Sequence, residues 1–290
     1  MKKYTILIPI YNDRESLTKL IEDINSKIEG INSEISIIVI NDASSQQVID
    51  EYQNTENINS IEIINMKENR GHARCIASGL KYIYEKKEFD YVIPMDGDGE
   101  DRSEEIKNFI QLAEQSNDRS IVGERVKRSE SLFFKFCYLF HKFLTLAFTG
   151  QSIKFGNFTC LSRSTVEKIL KEKSTWNSFS GSLKKIEKDL LSIPSIRGTR
   201  YHGPSQMNFS SLMKHSLSII SVFRSAVLIR SALFIALYIL LIKSNASIIT
   251  AIPLVLLLVM IYSISNLALR ENMEEFDNSL KNIMDTTKIK

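Results

Sequence analysis

Apolar positions in the first half of the chain follow two different periods. β-branched and other apolar residues form short runs at 4–9, 35–40, 61–66, 91–95 and 120–123, which predict strands. Between these runs, apolar residues recur every three or four positions, as at Leu17, Leu20 and Ile24, which predicts amphipathic helices. Alternating strands and helices predict an α/β fold built on a mostly parallel, doubly wound sheet.

Four of the predicted strands are followed by polar residues. These polar segments are 11–15, 41–44, 69–71 and 96–101. The carboxyl ends of parallel strands lie at one edge of a sheet, and ligands of doubly wound sheets bind at that edge. The sequence therefore predicts one polar ligand site rather than four separate turns.

Asp96 and Asp98 directly follow the fourth predicted strand. Carboxylate oxygens are the ligands that Mg²⁺ and Mn²⁺ prefer when they also bind substrate phosphates. Glu100 continues the same spacing and is a third candidate ligand. The alternative is an acidic turn before a helix that starts near Ser103, because Asp and Gly are common turn residues. The converging polar strand ends favour the metal site.

Composition and missing motifs exclude several classes of protein. The 290 residues include 37 Lys and Arg against 34 Asp and Glu, and 43% are hydrophobic. This excludes a disordered chain, and a near-neutral charge without a basic stripe excludes a dedicated nucleic-acid binder. The three cysteines form no CxxC pair, and GxGxxG, GxxxxGK[ST], HExxH and GxSxG are absent. The four histidines show no ligand spacing and are expected on helix surfaces or in packing.

The last third of the chain contains two strongly apolar segments. Residues 246–269 include no charge, and at about 1.5 Å per residue they would span roughly 36 Å, enough for a bilayer core of about 30 Å. Residues 226–242 are apolar except for Arg230, which is expected to snorkel to the headgroups. We expect a two-helix transmembrane hairpin at 226–269. A single span preceded by an interfacial helix and a buried helix of a soluble protein are the alternatives.

Charged and aromatic residues around these segments indicate an orientation. Arg224, Arg230 and Arg270 flank the spans on the side of the large domain, which predicts that this domain is cytoplasmic. Seven aromatic residues interleaved with cations between 132 and 148 predict a helix on the membrane surface, or else a core helix. The predicted organisation is a large domain at 1–210, an interfacial amphipathic helix at 211–225, the hairpin at 226–269 and a peripheral, mildly helical cytoplasmic tail at 270–290.

Five sequence blocks stand out along the first half of the chain: IPIYNDRESL (8–17), VINDAS (39–44), NRGHARCIASGL (69–80), PMDGDGED (94–101) and GERVKR (123–128). Taken in this order, they resemble the family 2 glycosyltransferases with a GT-A fold. Two later blocks, GNFTCLSR (156–163) and RYHGPSQM (200–207), fit more loosely. The nearest resemblance is to the polyprenyl-phosphate branch, the dolichyl-phosphate mannose synthase-like enzymes, which also end in a pair of transmembrane helices. The resemblance covers essentially the whole chain and implies a metal-dependent, inverting enzyme.

The resemblance implies roles for individual residues. A nucleotide sugar linked to UDP or GDP would contact Pro9, Tyr11, Glu15, Asp42, Asn69, Gly71 and Asp96. Mg²⁺ or Mn²⁺ would be held by Asp96, Asp98 and Glu100. The acceptor phosphate would face Arg125, Arg128 and Arg200, unless these arginines form only a solvated basic rim beside the membrane. The catalytic set is predicted to be Asp98, Asp101, Arg125 and Asn157.

Departures from the family pattern bear on the acceptor. They are Asn41 in the usual acidic pair, Glu100 in place of Gln, Gln206 in place of Lys, and Asn157 where many relatives have an Asp often proposed as the base. An Asn accepts no proton at neutral pH, whereas a lipid phosphate, with a second pKa of about 6, arrives largely deprotonated. Asn157 therefore favours a phosphate acceptor. For a hydroxyl acceptor the base would have moved, and Asp101 and His202 are equal candidates.

The sequence thus predicts an enzyme of a bacterial inner membrane, active in the cell envelope, that moves a hexose from a nucleotide sugar to polyprenyl phosphate. One alternative is transfer to a hydroxyl of a lipid-linked glycan. Another is a degenerate scaffold that binds nucleotide sugar, which the residues Asn41, Asn157 and Gln206 motivate and the intact Asp96 and Asp98 oppose. Self-association is left open, and no nucleic-acid partner is expected.

Overall fold

The computed structural model describes residues 1–46, 52, 55–127, 132–204 and 209–290, and at 127, 132–138 and 141 it describes the backbone alone. Within these ranges, eight strands form one mixed sheet in the order β7-β5-β6-β4-β1-β2-β3-β8. The strands are β1 (Lys3–Ile10), β2 (Glu34–Asn41), β3 (Ser60–Met66), β4 (Tyr91–Pro94), β5 (Ile121–Lys127), β6 (Phe155–Ser162), β7 (Leu191–Ile196) and β8 (Ile283–Lys288).

Helices connect most of these strands. They are α1 (Arg14–Lys27), α2 (His72–Lys86), α3 (Ile106–Gln115), α4 (Leu132–Thr149), α5 (Arg163–Leu170), α6 (Phe179–Ile186), α7 (Phe209–Ser221), α8 (Arg224–Ile242), α9 (Ile248–Ala268) and α10 (Met273–Asp277). Serine side chains fix several of the helix starts. Ser162, Ser178 and Ser247 each accept a hydrogen bond from the backbone N–H three residues later, which satisfies a donor that the first helical turn leaves unpaired.

The alternation of side chains along β1 divides the core between the two faces of the sheet. Ile6 and Ile8 are buried on one face with Leu20 of α1 and Phe109 of α3. Leu7 is buried on the other face, in the cluster that holds α2, α5 and α6. Strands β4, β1, β2 and β3 run parallel. The predicted α/β fold, with a parallel centre covered on both faces, is confirmed.

The strand β6 brings distant residues to the edge where the parallel strands end. It runs antiparallel to both β4 and β5, so its first residues lie beyond the carboxyl end of β4. Strand β7 runs parallel to β5, and the segment that follows it also begins at this edge. Asn157, Arg125 and the residues after Ile196 therefore meet the polar strand ends that the sequence predicted.

The prediction of a peripheral tail at 270–290 is wrong. Strand β8 pairs antiparallel with β3, with Thr287 opposite Ile63, and so forms one edge of the central sheet. Upstream of it, the ring of Phe276 stacks on Trp176 with centroids 5.5 Å apart. Strand β8 buries little side-chain surface, so its sequence has only weak apolar periodicity. The large domain consequently includes residues from both ends of the chain.

Helices α8 and α9 are candidate membrane spans by length and composition. Their 19 and 21 residues correspond to about 29 and 32 Å at about 1.5 Å per residue, and most of their side chains are exposed. Near the large domain they pack with α4 and α7 around buried Ile220, Val227 and Ile264. Arg230 donates a hydrogen bond to the carbonyl of Ala147 (3.2 Å) at the end of α4.

Candidate active site

A turn closed by its own side chains presents carboxylates beyond β4. Asp101 Oδ2 accepts a hydrogen bond from the backbone N–H of Asp96 (2.9 Å), and Asp98 Oδ1 accepts one from that of Glu100 (3.0 Å). Gly99 has a φ of +87°, and a Cβ there would lie 2.3 Å from the ring of Tyr201, so the turn requires glycine. The turn thus holds Asp96 and Asp98 at the sheet edge.

Two arginines from the segment after β7 pair with this turn. Arg200 Nη1 lies 3.0 Å from Asp98 Oδ2, and its other terminal nitrogen pairs with Asp13, the residue before α1. Arg197 pairs with Glu100. Glu100, predicted as a metal ligand, is therefore an ion-pair partner of Arg197. No group of three or more His, Cys, Asp or Glu residues within the described ranges is arranged to hold a metal ion.

Arg125 approaches the turn from β5. A Cβ on Gly156 would lie 2.6 Å from Arg125 Nη2, so the guanidinium group extends over the backbone of β6. Burial acts to raise the pKa values of Asp96 and Asp101, and the positive charge of Arg125 opposes this effect at both carboxyl groups. The predicted residues Arg128 and Gln206 lie outside the described residues.

The three aspartates of the turn differ in acidity. Burial raises the pKa of Asp98 to about 6, and the Asp96 carboxylate contributes to this rise against the opposing charge of Arg200. Burial and the same carboxylate also raise the pKa of Asp101. Burial acts to raise the pKa of Asp96 as well, but His72 and Arg197 outweigh it and hold that pKa below its usual range. Repulsion among hard oxygen donors of this kind is relieved by a bound divalent cation, so the residues fit Mg²⁺ or Mn²⁺.

Asp96 has two further neighbours. Its Oδ1 lies 3.1 Å from His72 Nε2 and 3.3 Å from Asn157 Nδ2, and these two nitrogens are 2.8 Å apart. Burial lowers the pKa of His72, but the Asp96 carboxylate outweighs burial and raises it. The sequence predicts His72 on a helix surface or in packing, and it does not predict this contact with Asp96. The available signal was its place directly after the 69–71 segment, at the first residue of α2.

Asp42 supports the loop that leads from β3 to α2. Its side chain is buried, and its two oxygens accept hydrogen bonds from the backbone N–H groups of Arg70 (2.9 Å) and Gly71 (2.8 Å). Across the neighbouring loops, Asn12 Oδ1 accepts a hydrogen bond from the backbone N–H of Ser45 (2.8 Å). The loops after β1, β2 and β3 are therefore joined into one rim, and the ribose contact implied for Asp42 stays a prediction.

The remaining predicted donor residues lie along this rim. Pro9 is buried at the end of β1, and its carbonyl oxygen would lie 3.1 Å from a Cβ on Gly97. Tyr11, Glu15 and Asn69 are exposed. His202, a candidate for a relocated base, has its Nδ1 3.5 Å from the Glu15 carboxylate. Asp101, the other candidate, is buried beneath the turn.

The sheet has a parallel centre, helices on both faces and a carboxylate turn at its carboxyl edge. These features place the large domain in the class of α/β domains that bind ligands at that edge. Within that class, this chain belongs to glycosyl transferase family 2, whose family model matches residues 5–169. The matched segment extends from β1 through α5 and includes the Asp96–Asp98 turn and Asn157. The family resemblance seen in the sequence motifs is confirmed.

Solved structures with the same fold are distant in sequence. S. aureus TarS 1–349 in complex with UDP-GlcNAc is 13% identical, with a TM-score of 0.51 and coverage of 77% of this chain and 66% of that one, just under two thirds. Glucosyl-3-phosphoglycerate synthase from Mycobacterium tuberculosis, in complex with Mn²⁺, UDP-glucose and phosphoglyceric acid, is 12% identical, with a TM-score of 0.51 and coverage of 78% and 80%. At such identities the likeness shows the GT-A fold alone.

Proposed function

We propose that this chain is a membrane-anchored glycosyltransferase that moves a hexose from a UDP- or GDP-linked sugar to polyprenyl phosphate. One observation carries the proposal. Asp96 and Asp98 lie at the carboxyl edge of the sheet among the guanidinium groups of Arg125, Arg197 and Arg200. Paired carboxylates suit a divalent cation, and forked guanidinium groups suit phosphates, so the cluster fits a sugar diphosphate.

Asp96 and Asp98 would hold the Mg²⁺ or Mn²⁺, and the donor diphosphate and water would complete its coordination. When bound, the cation supplies charge neutralisation to the departing nucleoside diphosphate. Support comes from the M. tuberculosis relative with the same fold, which was solved with Mn²⁺ and UDP-glucose. Glu100 would join the two aspartates only on release from Arg197.

The residue at position 157 supports a phosphate acceptor. Asn157 has no basic group and directs its amide nitrogen to Asp96, so it removes no proton from an acceptor. A phosphate monoester needs no such removal, because it is largely ionised at neutral pH. Its oxygen would form a bond to the anomeric carbon while the bond to the nucleoside diphosphate breaks. A single displacement of this kind inverts the anomeric centre.

An exposed apolar surface beside the large domain supports a lipid-linked acceptor. Leu139, Phe143 and Leu146 project from α4 into solvent, and Phe148 of the same helix packs edge-on against Phe234 of α8, with ring centroids 5.7 Å apart. A helix with such a face suits the membrane surface, where the head of a polyprenyl phosphate emerges. In this proposal the large domain lies on the cytoplasmic side of a bacterial inner membrane.

The test uses membranes that contain the full chain, with polyprenyl phosphate, Mn²⁺ or Mg²⁺, and a panel of radiolabelled UDP- and GDP-sugars. The matched control is Asp98→Asn. We expect metal-dependent, acid-labile label in the organic phase for the unmodified chain and none for the control. This result would also identify the sugar and the nucleotide.

Two other outcomes would contradict the proposal. Label on an added lipid-linked glycan, lost in Asp101→Asn or His202→Gln, would indicate transfer to a hydroxyl with a relocated base. Absence of turnover with every donor and both acceptors would indicate a protein that binds nucleotide sugars without catalysis.

A further inference from the structure

The segment 272–288, which we call the C-terminal strap, contacts the loop 67–71 between β3 and α2. The backbone N–H of Lys67 donates to the carbonyl of Asn282 (2.7 Å). In return, Asn282 Nδ2 donates to the carbonyl of Glu68 (3.1 Å). Asn282 is only 7% exposed, so water cannot readily replace these contacts. One buried residue of the strap therefore binds two consecutive residues of the loop.

The other end of the loop is held from inside the domain. Both oxygens of Asp42 accept hydrogen bonds from the loop, one from Arg70 and one from Gly71. The side chains of Lys67, Glu68 and Asn69 are exposed, and their contacts lie at the surface: Lys67 Nζ donates to the carbonyl of Lys281 (2.9 Å), and Glu68 pairs with Arg70 (3.3 Å). The buried contacts that fix the conformation of the loop are those of Asp42 at one end and of Asn282 at the other.

The strap is attached to the large domain independently of Asn282. Phe276 stacks on Trp176, and Trp176 Nε1 donates to Glu275 Oε2 (2.8 Å). Farther along, Asp285 Oδ1 accepts a hydrogen bond from Asn65 Nδ2 (2.6 Å). Asn65 Oδ1 in turn accepts one from Asn41 Nδ2 (2.8 Å). Loss of the Asn282 side chain would therefore remove the hydrogen bond to Glu68 and loosen the middle of the loop, while the Lys67 backbone bond and the strap stay in place.

We infer that Asn282 is a positioning residue for donor binding, which fixes the loop 67–71 in the conformation that accepts the nucleotide sugar. The inference rests on the proposed function, in which Asn69 and Gly71 contact the donor. Asn282 lies outside the segment matched by the family model, so the donor site depends on a residue contributed after the two apolar helices.

The test compares Asn282→Ala with Asn278→Ala in the detergent-solubilised full chain. Asn278 is a matched control because its side chain donates to Glu274 within the strap itself. Three quantities are measured: the KM and kcat for the donor sugar, hydrogen exchange of the peptide containing 67–71, and the fluorescence of Trp176, the single tryptophan of the chain. The fluorescence reports whether the strap stays attached.

We expect Asn282→Ala to raise the donor KM about tenfold, as the loss of one buried hydrogen bond would, with kcat within about twofold. Exchange in 67–71 should accelerate by a similar factor, and Trp176 emission should not shift. Asn278→Ala should match the unmodified chain in all three measurements.

Three results would overturn the inference. These are KM and exchange rates for Asn282→Ala equal to those of the control, a fall in kcat with KM unchanged, and a red shift of Trp176, which would mean that the whole strap detaches. If no donor gives turnover, the exchange measurement decides alone. Faster exchange in Asn282→Ala would then support the positioning role of Asn282, and the missing turnover would count only against the proposed function.

Discussion

At the residue scale, the Asp96–Asp98 turn holds neighbouring carboxylates in unequal surroundings. Asp96 faces His72 and Asn157, whereas Asp98 is partly buried beside Asp96 with Arg200 as its ion-pair partner. These neighbours keep Asp96 acidic and make Asp98 a weaker acid. The difference matters because a divalent cation binds only the ionised carboxylates.

Asp98→Asn is expected to lower glycosyl transfer at saturating donor by about 100-fold or more, because a neutral amide supplies no charge to the cation. Glu100→Gln is expected to lose only about threefold, since Glu100 pairs with Arg197. Initial rates in membranes at saturating Mn²⁺ measure both effects. Equal losses in the two variants would show instead that Glu100 is a metal ligand.

The raised pKa of Asp98 predicts a pH-dependent stability in metal-free protein. Because folding raises this pKa from 3.8 to about 6, Asp98 stabilises the fold fully below pH 4 and loses that contribution as the pH rises through 6. The change is on the order of 2–3 kcal/mol, from about 1.4 kcal/mol per pKa unit. The melting temperature of the unmodified chain should therefore fall relative to Asp98→Asn between pH 4 and 7 in EDTA. A difference in melting temperature between the two proteins that does not change with pH would contradict the raised pKa of Asp98.

At the scale of elements, the carboxylate turn depends on the segment that follows β7. Backbone N–H groups of Gly198 and Tyr201 donate to the carbonyls of Glu100 (2.8 Å) and Asp98 (2.9 Å). A Cβ on Gly198 would lie 2.9 Å from the carbonyl of Gly99. The two segments therefore pack too closely for any residue larger than glycine at positions 99 and 198. This close contact positions Arg197 and Arg200 beside the turn.

Gly99→Ala is expected to separate these segments, because its Cβ would overlap the Tyr201 ring and its φ of +87° is strained for alanine. We expect a loss of more than about tenfold in transfer activity and a lower melting temperature. Gly30→Ala is the matched control. Gly30 also has a positive φ, of +77°, but a Cβ there meets nothing within 4 Å, so only about 1 kcal/mol of backbone strain is expected. Equal activities for the two variants would contradict the role of the contact.

At the scale of the whole molecule, the chain before and after the apolar helix pair belongs to the same sheet. Strand β8 follows α9 closely and pairs with β3 from the first part of the chain. Both outer ends of the helix pair must therefore lie on the side of the large domain. If α8 and α9 cross a membrane, the turn at 243–247 lies on the opposite side.

Single cysteines test this topology. In a Cys137→Ser background, Asn245→Cys in the turn and Asn278→Cys in the strap are both exposed, whereas the native Cys75 and Cys160 are buried. We expect a membrane-impermeant maleimide to label the two positions from opposite sides of sealed vesicles. Labelling of both from one side would contradict a spanning hairpin and favour helices lying on the membrane surface.

The local pattern of apolar and polar residues was sufficient to predict most of the parallel sheet and the position of the site. The runs at 4–9, 35–40, 61–66 and 91–95 became β1 to β4, and the polar segments after them lie together at one edge. Contacts between distant segments were not predictable in this way. His72 and Asn157 are 85 positions apart, and their meeting at Asp96 depends on the antiparallel placement of β6 beside β4.

The sequence by itself determined the α/β class, the polar strand ends, the Asp96–Asp98 pair and the two apolar helices, because each follows from periodicity or composition within a short window. The tertiary structure alone decided that residues 283–288 complete the sheet, that Glu100 pairs with Arg197 and that Asp42 faces the loop at 70–71. Each of these depends on which unpaired strand edge or buried polar group happens to lie nearby in the folded chain. That information is absent from any single segment of the sequence.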